Sequence, residues 1–402
     1  MGTNTSEIIA SNPDHSAAAQ HGGPFGTGSD SLDRPLLYRG NRVSSSVANA
    51  KTLSFDEAMN EDQLVRLVSN PAYKHLHDID AEIFVSAVDY FRKLGAKWAN
   101  LPLTTRMISS PGEVYAGHTL DYTTDTLPVD IRWFDSPKNI FLAESSQFYL
   151  ELRLLLEDVH QVYCVYNSFR KETADFSHLA EFQHIEYEGH VGFEENVRIA
   201  ENLVRHLVES TAKNCGDALR HYLSEGDVDS LQESVSPSNF ETITFKEALK
   251  VLFKATGDAR YKQFTLKHFG SWEEVKLTEL LGKHVWVTHF PMAQIPFYHN
   301  QFSVDEDGVP LAENADLIMY GYREVVGSGV RITSPELLAR KAKVFNLPVE
   351  DYAPYLKTRD LDHYRPSAGF GLGWQRLTHW MLKLPAIWEA SHIPRGHVLP
   401  TV

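Results

Sequence analysis

Between residues 162 and 188, polar and apolar side chains alternate along two runs that flank a short segment, Thr173-Ala174-Asp175-Phe176-Ser177. A period of two marks half-buried strands, so this stretch predicts an antiparallel hairpin. Ser168, Arg170 and Glu172 then project to one side of the first strand, and His178, Phe182, His184 and Glu186 share one side of the second. If the two sides coincide, one face of a sheet carries a guanidinium, a flat aromatic ring, an imidazole and carboxylates. The alternative is an ordinary sheet with one solvated polar face.

Elsewhere the period is helical. Residues 56–68 and 81–94 predict helices, the second with Ile83, Ala87, Tyr90, Phe91 and Leu94 on one stripe. Residues 193–223 read as one long helix with Val197, Ala200, Leu203, Val204 and Leu207 along one face. A shorter helix is expected at 245–252, a buried strand at 285–291, and an apolar-periodic helix over 141–156. Residues 1–52 are rich in Ser, Ala, Gly and Asn, with few large apolar groups and no signal-peptide pattern. They predict a flexible leader, 1–52, ahead of one folded domain, 53–402.

With 402 residues, 43% of them hydrophobic, the chain has enough apolar material for a large core. A formal charge of −15 argues against a general nucleic-acid surface, though not against a local basic groove. Two cysteines, Cys164 and Cys215, provide neither a disulfide framework nor zinc spacing, so a reducing, cytoplasmic setting is expected. No run approaches the roughly 18 apolar residues of a membrane helix. His75 and His77 are read as surface residues rather than metal ligands.

Two more stretches carry chemistry. In residues 313–332, Asp316 and Glu324 would face the same side of one strand. Two carboxylates beside a triphosphate suit Mg²⁺, which takes one or two protein oxygens and completes its shell with phosphate and water oxygens. Alternatively both are solvated acids at a strand edge. In residues 368–384, Gly369, Gly371 and Gly373 let the backbone approach a ligand before an apolar helix, a pattern that alone carries little.

Taken in order, Phe169-Arg170-Lys171-Glu172 with His178-Leu179-Ala180-Glu181-Phe182, residues 313–332, and residues 368–384 resemble class II aminoacyl-tRNA synthetases of the asparaginyl and aspartyl type. The resemblance covers residues 80–402 and implies an α+β fold, with a mixed, mostly antiparallel sheet flanked by helices. It implies ATP and Mg²⁺ as cofactors and a homodimer. Arg170 would meet the activated carboxylate and α-phosphate, Phe182 would stack on adenine, and His178 would approach the outer phosphates. Glu172 would join them in binding ATP, and Arg376 would bind the γ-phosphate, with Arg170 and Arg376 as the catalytic pair. Asp316 and Glu324 correspond to the metal site. Ser145, Gln147 and Glu186 would approach the substrate's α-ammonium, and Arg331 its side-chain carbonyl or carboxylate, a planar group that suits a bidentate guanidinium.

Departures from the family pattern also shape the expectation. Leu150 stands where aspartyl enzymes carry lysine, which favours a neutral amide or another side chain over aspartate. Gln375 replaces the usual acid before the motif arginine and supplies no charge to hold it. Before residue 81 there is no series of alternating strands like that of an anticodon-binding barrel of roughly 100 residues. The segment 173–177 has an acid and an aromatic but no cation. The expected activity is therefore ATP-dependent, AMP-forming activation of an Asp- or Asn-like amino acid, with transfer to ammonia or a small amine and tRNA an unlikely partner. Phe176 would line the amine pocket or cover the adenylate. The alternatives are aminoacylation of tRNA and a non-catalytic paralogue that binds ATP or an amino acid.

Overall fold

In the computed structural model the alternating runs assemble into one eight-stranded sheet. The structure describes residues 69–109, 128–129, 139–171, 176–262 and 269–396, and the backbone of Leu37–Tyr38 paired with Asn41–Arg42. The expected helix at 56–68, most of the 1–52 leader, Glu172 and residues 173–175 lie outside the described residues.

In chain order the strands are β1 (Lys97–Trp98), β2 (Gln161–Phe169), β3 (Glu181–Gly189), β4 (Phe240–Thr244), β5 (His284–Thr288), β6 (Asn314–Ile318), β7 (Glu324–Val330) and β8 (Ala368–Gly373). Their spatial order is β1-β2-β3-β8-β7-β6-β5-β4. Neighbours are antiparallel except at the two edges, where β1 runs parallel to β2 and β4 to β5. The helices used below are α1 (Pro71–Leu94), α2 (Gln147–Arg153), α3 (Phe193–Asn214), α4 (Phe245–Thr256), α5 (Ser271–Leu281), α6 (Pro335–Val344), α7 (Val349–Leu356) and α8 (Trp374–Met381).

The helix α1 begins ten residues before the predicted 81–94, because Asn70 caps it through the Ala72 N–H and Pro71 fits its first turn. Its polar front half still buries Leu76 and Ile79. The long helix expected at 193–223 breaks at Cys215, and Gly216–Tyr222 forms a separate helix. Residues 141–142 pair as a short strand with Thr104–Thr105, and α2 starts only at Gln147.

Alternation along the central strands sorts the two faces of the sheet. Tyr163, Ile185, Tyr187, Phe370 and Leu372 face α1 and α3 in the main core. There Phe91 stacks on Tyr163 at 4.4 Å and Tyr187 on Phe370 at 5.2 Å. The intervening residues point the other way: Phe182, His184, Glu186 and Glu188 from β3, and the three glycines from β8. The lack of side chains at the glycines makes room for that row of functional groups. A Cβ at Gly369 would lie 1.9 Å from Glu188 Oε2 and 2.8 Å from Arg331 Nη2. A second core, with Phe148, Phe297, Tyr298, Ile332, Leu338, Tyr352 and Tyr355, backs one end of this face. No helix among the described residues is long and apolar enough to cross a membrane.

Candidate active site

The hairpin predicted at 162–188 forms, with Ser168 opposite Phe182 and Cys164 opposite Glu186. Five of the residues drawn from the motifs then line a single cleft: Arg170, His178, Phe182, Glu324 and Arg376. The Arg170 guanidinium sits 5.7 Å from the centre of the Phe182 ring. Arg376 enters from the first turn of α8. Its Nη1 donates to the Glu324 carbonyl at 2.9 Å and lies 3.8 Å from the Glu324 carboxylate.

Asp316 and Glu324 do share a side, but not on one strand. They belong to β6 and β7, joined by a turn in which Gly321 takes φ +64°. A bulge between Leu317 and Ile318 places Glu324 opposite Ile318, two residues from Asp316 and on the same face. Both carboxylates lie over Gly327, where a Cβ would be 3.0 Å from Glu324 Oε1 and 3.8 Å from Asp316 Oδ1. Burial, then the charges of Glu324 and Glu274, push the Asp316 carboxyl well above its ordinary range. A site so short of positive charge fits a divalent cation. Among the described residues no group of three or more His, Cys, Asp or Glu converges as a metal site.

At the other end of the same face Arg331 is fully buried. Its Nε donates to both carboxylate oxygens of Glu188, at 3.0 and 3.1 Å, and Nη2 donates to Glu188 Oε2 at 2.7 Å. Nη2 also donates to Gln147 Oε1, and Nη1 lies 3.0 Å from His299 Nε2. Behind it, Arg359 Nη2 donates to Glu151 Oε2 at 2.7 Å, and the Tyr355 hydroxyl donates to Glu151 Oε1 at 2.7 Å. Burial pushes the Glu188 carboxyl up to about 7; Arg331 opposes the rise and Glu151 adds to it. Glu186 is also buried and raised by burial, although the Ser146 N–H donates to its Oε2 at 2.8 Å. Gln147 Nε2 donates to the Phe370 carbonyl at 3.1 Å, so both ends of that amide are engaged by the protein.

Residues 59–397 match the family model described as tRNA synthetases class II (D, K and N). The chain belongs to this family. Among curated class II synthetases, asparagine–tRNA ligases of Syntrophobacter fumaroxidans and Myxococcus xanthus are similar. They are 30% and 29% identical over 319 residues, covering 77% and 76% of this chain. The chain spans about two thirds of their length, 67% and 66%. A solved asparaginyl-tRNA synthetase from Pyrococcus horikoshii, complexed with asparaginyl-adenylate, shares the fold. Its TM-score is 0.71 at 23% identity, over 89% of this chain and 77% of that one. The asparaginyl-tRNA synthetase of Entamoeba histolytica gives 0.69, also at 23%, over 86% and 72%. The expectation of an ATP-dependent, AMP-forming ligase agrees with this class II family, as does the α+β fold.

These synthetase relatives overturn two expectations. Transfer to ammonia or a small amine without tRNA, and tRNA as an unlikely partner, both conflict with relatives named for ligation to tRNA. The physical weakness was an inference from missing charge. Residues 173–175 and most of those before 69 lie outside the described residues, and a net charge of −15 sets no limit on a local groove. Phe176 lines no amine pocket: it is 1% exposed, with its ring 6.5 Å from His379. Leu150 is buried and packs with Ala99, Leu101, Leu154, Val162 and Cys164. Gln375 lines the same cleft as Arg376 and binds Gln183, accepting its backbone N–H at 2.9 Å.

Three charged residues on or behind this face were not anticipated. Glu188 shares the β3 face that named Glu186, so alternation alone could have found it. Glu274, on α5, and Arg323, just before β7, form a buried ion pair at 2.9 Å, and no local pattern links positions so far apart.

Proposed function

We propose that the protein activates asparagine with ATP and transfers it to tRNA. The observation that carries this reading is the convergence of Arg170, Phe182 and Arg376 on one cleft, in a chain whose relatives are asparagine–tRNA ligases. Asparagine's carboxylate attacks the α-phosphorus of ATP, and the bond to pyrophosphate breaks. Arg170 is positioned to neutralise charge between the carboxylate and α-phosphate, and Arg376 charge at the far phosphate. Phe182 offers a flat face for the adenine. A terminal tRNA hydroxyl then attacks the acyl carbonyl and AMP leaves. Asp316 and Glu324 would hold Mg²⁺, which when bound spreads the phosphate charge.

The buried end suits an uncharged side chain. Arg331 donates and Glu188 accepts, a pairing that matches the carbonyl and amino groups of an amide. Ser145, Gln147 and Glu186 stand near one another for the α-ammonium, with Glu186 the only charge among them. We also read residues 53–402 as the catalytic domain behind a 1–52 leader. The unbridged Cys164 and Cys215 fit a reducing, cytoplasmic setting. Exposed Phe84, Val85 and Trp98, on α1 and β1, support a homodimer through this apolar surface. Sedimentation at micromolar concentration tests it, and a monomer removes it.

The deciding experiment is ATP–pyrophosphate exchange across a panel of amino acids, followed by charging of total tRNA at low salt. Exchange with asparagine ahead of aspartate, and acid-stable charged tRNA, are expected. Exchange without any charged tRNA would overturn the second half of the reading, and no exchange the whole.

A further inference from the structure

His299 stands beside Arg331 on the functional face of the sheet, and the motifs do not include it. The two residues are antiparallel bridge partners. Around them the Ile332 N–H donates to the Tyr298 carbonyl at 2.9 Å and the Asn300 N–H to the Val330 carbonyl at 2.8 Å. Bridge partners project to the same side. Gly329 and Gly369, directly opposite on β7 and β8, leave room for both side chains. A Cβ at Gly329 would lie 2.5 Å from His299 Nδ1, just as one at Gly369 would crowd Glu188 and Arg331. Arg331 Nη1 meets His299 Nε2 at 3.0 Å, whereas Nδ1 is buried with no hydrogen-bond partner among the described residues, so the contact is to one ring nitrogen. A guanidinium donates and never accepts, so Nε2 is the acceptor. Burial, then the charges of Arg331 and Lys341, hold the imidazole well below its ordinary pKa, which keeps that lone pair available.

The donors of Arg331 are then almost all committed. Of its five N–H groups, Nε–H and one Nη2–H go to Glu188, the other Nη2–H to Gln147 Oε1, and one Nη1–H to His299. Among the described residues nothing accepts the second Nη1–H. The Tyr298 ring, its centre 5.0 Å from the guanidinium carbon, packs against the same group. We propose that His299 is a positioning residue that sets side-chain specificity: by taking one Nη1 proton it leaves Arg331 a single N–H for the substrate. One donor suits the carbonyl oxygen of a side-chain amide. A carboxylate presents two anionic oxygens and pairs best with two parallel N–H groups, and Glu188 already occupies that fork. The inference rests on the proposed function and refines how its amino acid is chosen.

The test is ATP–pyrophosphate exchange with asparagine and with aspartate, on wild type, His299→Leu and His299→Gln. In His299→Leu the released N–H offers aspartate one more hydrogen bond to a charged group. The asparagine-to-aspartate ratio of kcat/KM should therefore fall about tenfold, with the KM for ATP changed by less than about twofold. Glutamine returns an acceptor oxygen at similar reach, and its ratio should lie within about threefold of the wild type. A merely structural role would slow exchange with both amino acids alike and leave their ratio unmoved. An unchanged ratio in a folded leucine variant, or a glutamine variant as permissive as leucine, overturns the proposal. Leucine also strands an N–H in a dry site, so a measurement on the wild type stands beside the variants. In long-range ¹⁵N–¹H spectra at neutral pH, with His299→Gln identifying the signal, Nε2 should carry no proton. A proton on Nε2 overturns the proposal whether or not the leucine variant folds, and leaves the proposed function standing if asparagine supports exchange. A wild type without asparagine-dependent exchange overturns the proposed function, and this assignment falls with it.

Discussion

Two ion pairs along the cleft, one exposed and one buried, handle charge in opposite ways. At the phosphate end, the Arg376 and Glu324 side chains remain 20% and 37% exposed and meet only at 3.8 Å. At the amino-acid end, Arg331 and Glu188 are sealed from solvent and joined by three hydrogen bonds. On the proposed function, a triphosphate and its cation bring large charges that complete an open site. A small zwitterion with a neutral side chain cannot, so the protein finishes that balance itself. The lesson is that losing the charge of the exposed pair should appear in activity, and losing that of the buried pair in folding.

The largest effect is expected at Arg331. Arg331→Met strands Glu188 in a dry site, and breaking a buried pair from one side costs about 3–5 kcal/mol. Urea unfolding measures it. The penalty should also depend on pH. In the wild type the Glu188 carboxyl is raised, so its contribution to stability is full below the unfolded value of about 4.5 and is lost as pH rises through about 7. Without Arg331 the rise is unopposed, and the variant should lose much less at pH 5 than at pH 8. A pH-independent loss would mean that Glu188 is not the stranded charge.

Arg170→Ala and Arg376→Ala come next and should invert the pattern. Each removes charge-assisted bonds to phosphate, about 1.5–3 kcal/mol, so exchange should slow about tenfold to a hundredfold. Folding stability should change for Arg376→Ala by less than about 1 kcal/mol, as for other solvent-screened pairs. Folded variants with near-wild-type exchange would remove the proposed active site.

The same contrast explains what the sequence made legible. Phosphate-end residues sit inside short contiguous motifs, and period-two alternation sufficed to put Phe182 and Glu186 on one face. The hairpin and the α1 stripe followed from the same local logic. The network behind Arg331 joins Glu151, Glu188, His299 and Arg359 from segments far apart, and only packing brings them together. Asp316 and Glu324 were paired for the wrong reason: a straight strand was assumed, whereas a turn and a bulge restore the facing.

A smaller effect of opposite sign is expected at Asp316. Its raised carboxyl reports a folded state that resists ionisation, so its contribution to stability falls as pH rises above the unfolded carboxylate value. Asp316→Asn should therefore stabilise the protein at neutral pH, read as a higher urea midpoint than that of the wild type. It should slow exchange at the same time, because a cation ligand is lost. A destabilised variant would mean that the Asp316 carboxylate is compensated within the fold, and the site would no longer look short of positive charge.

The smallest effect is expected at Gln375, where the family pattern would suggest a large one. The usual acid supplies a charge beside the motif arginine that Gln375 lacks. Arg376 is instead oriented by the carbonyl and carboxylate of Glu324, while Gln375 accepts the Gln183 N–H. Gln375→Glu keeps that acceptor and gives up the amide's donation to the Gln183 side chain. The new charge would sit beside a guanidinium that already has a partner, so exchange should change by no more than about threefold, under 1 kcal/mol. A gain of tenfold or more would show that Glu324 holds Arg376 poorly. The phosphate end would then depend on an acid that this chain lacks, and the contrast between an open end and a finished end would have to be redrawn around Gln375.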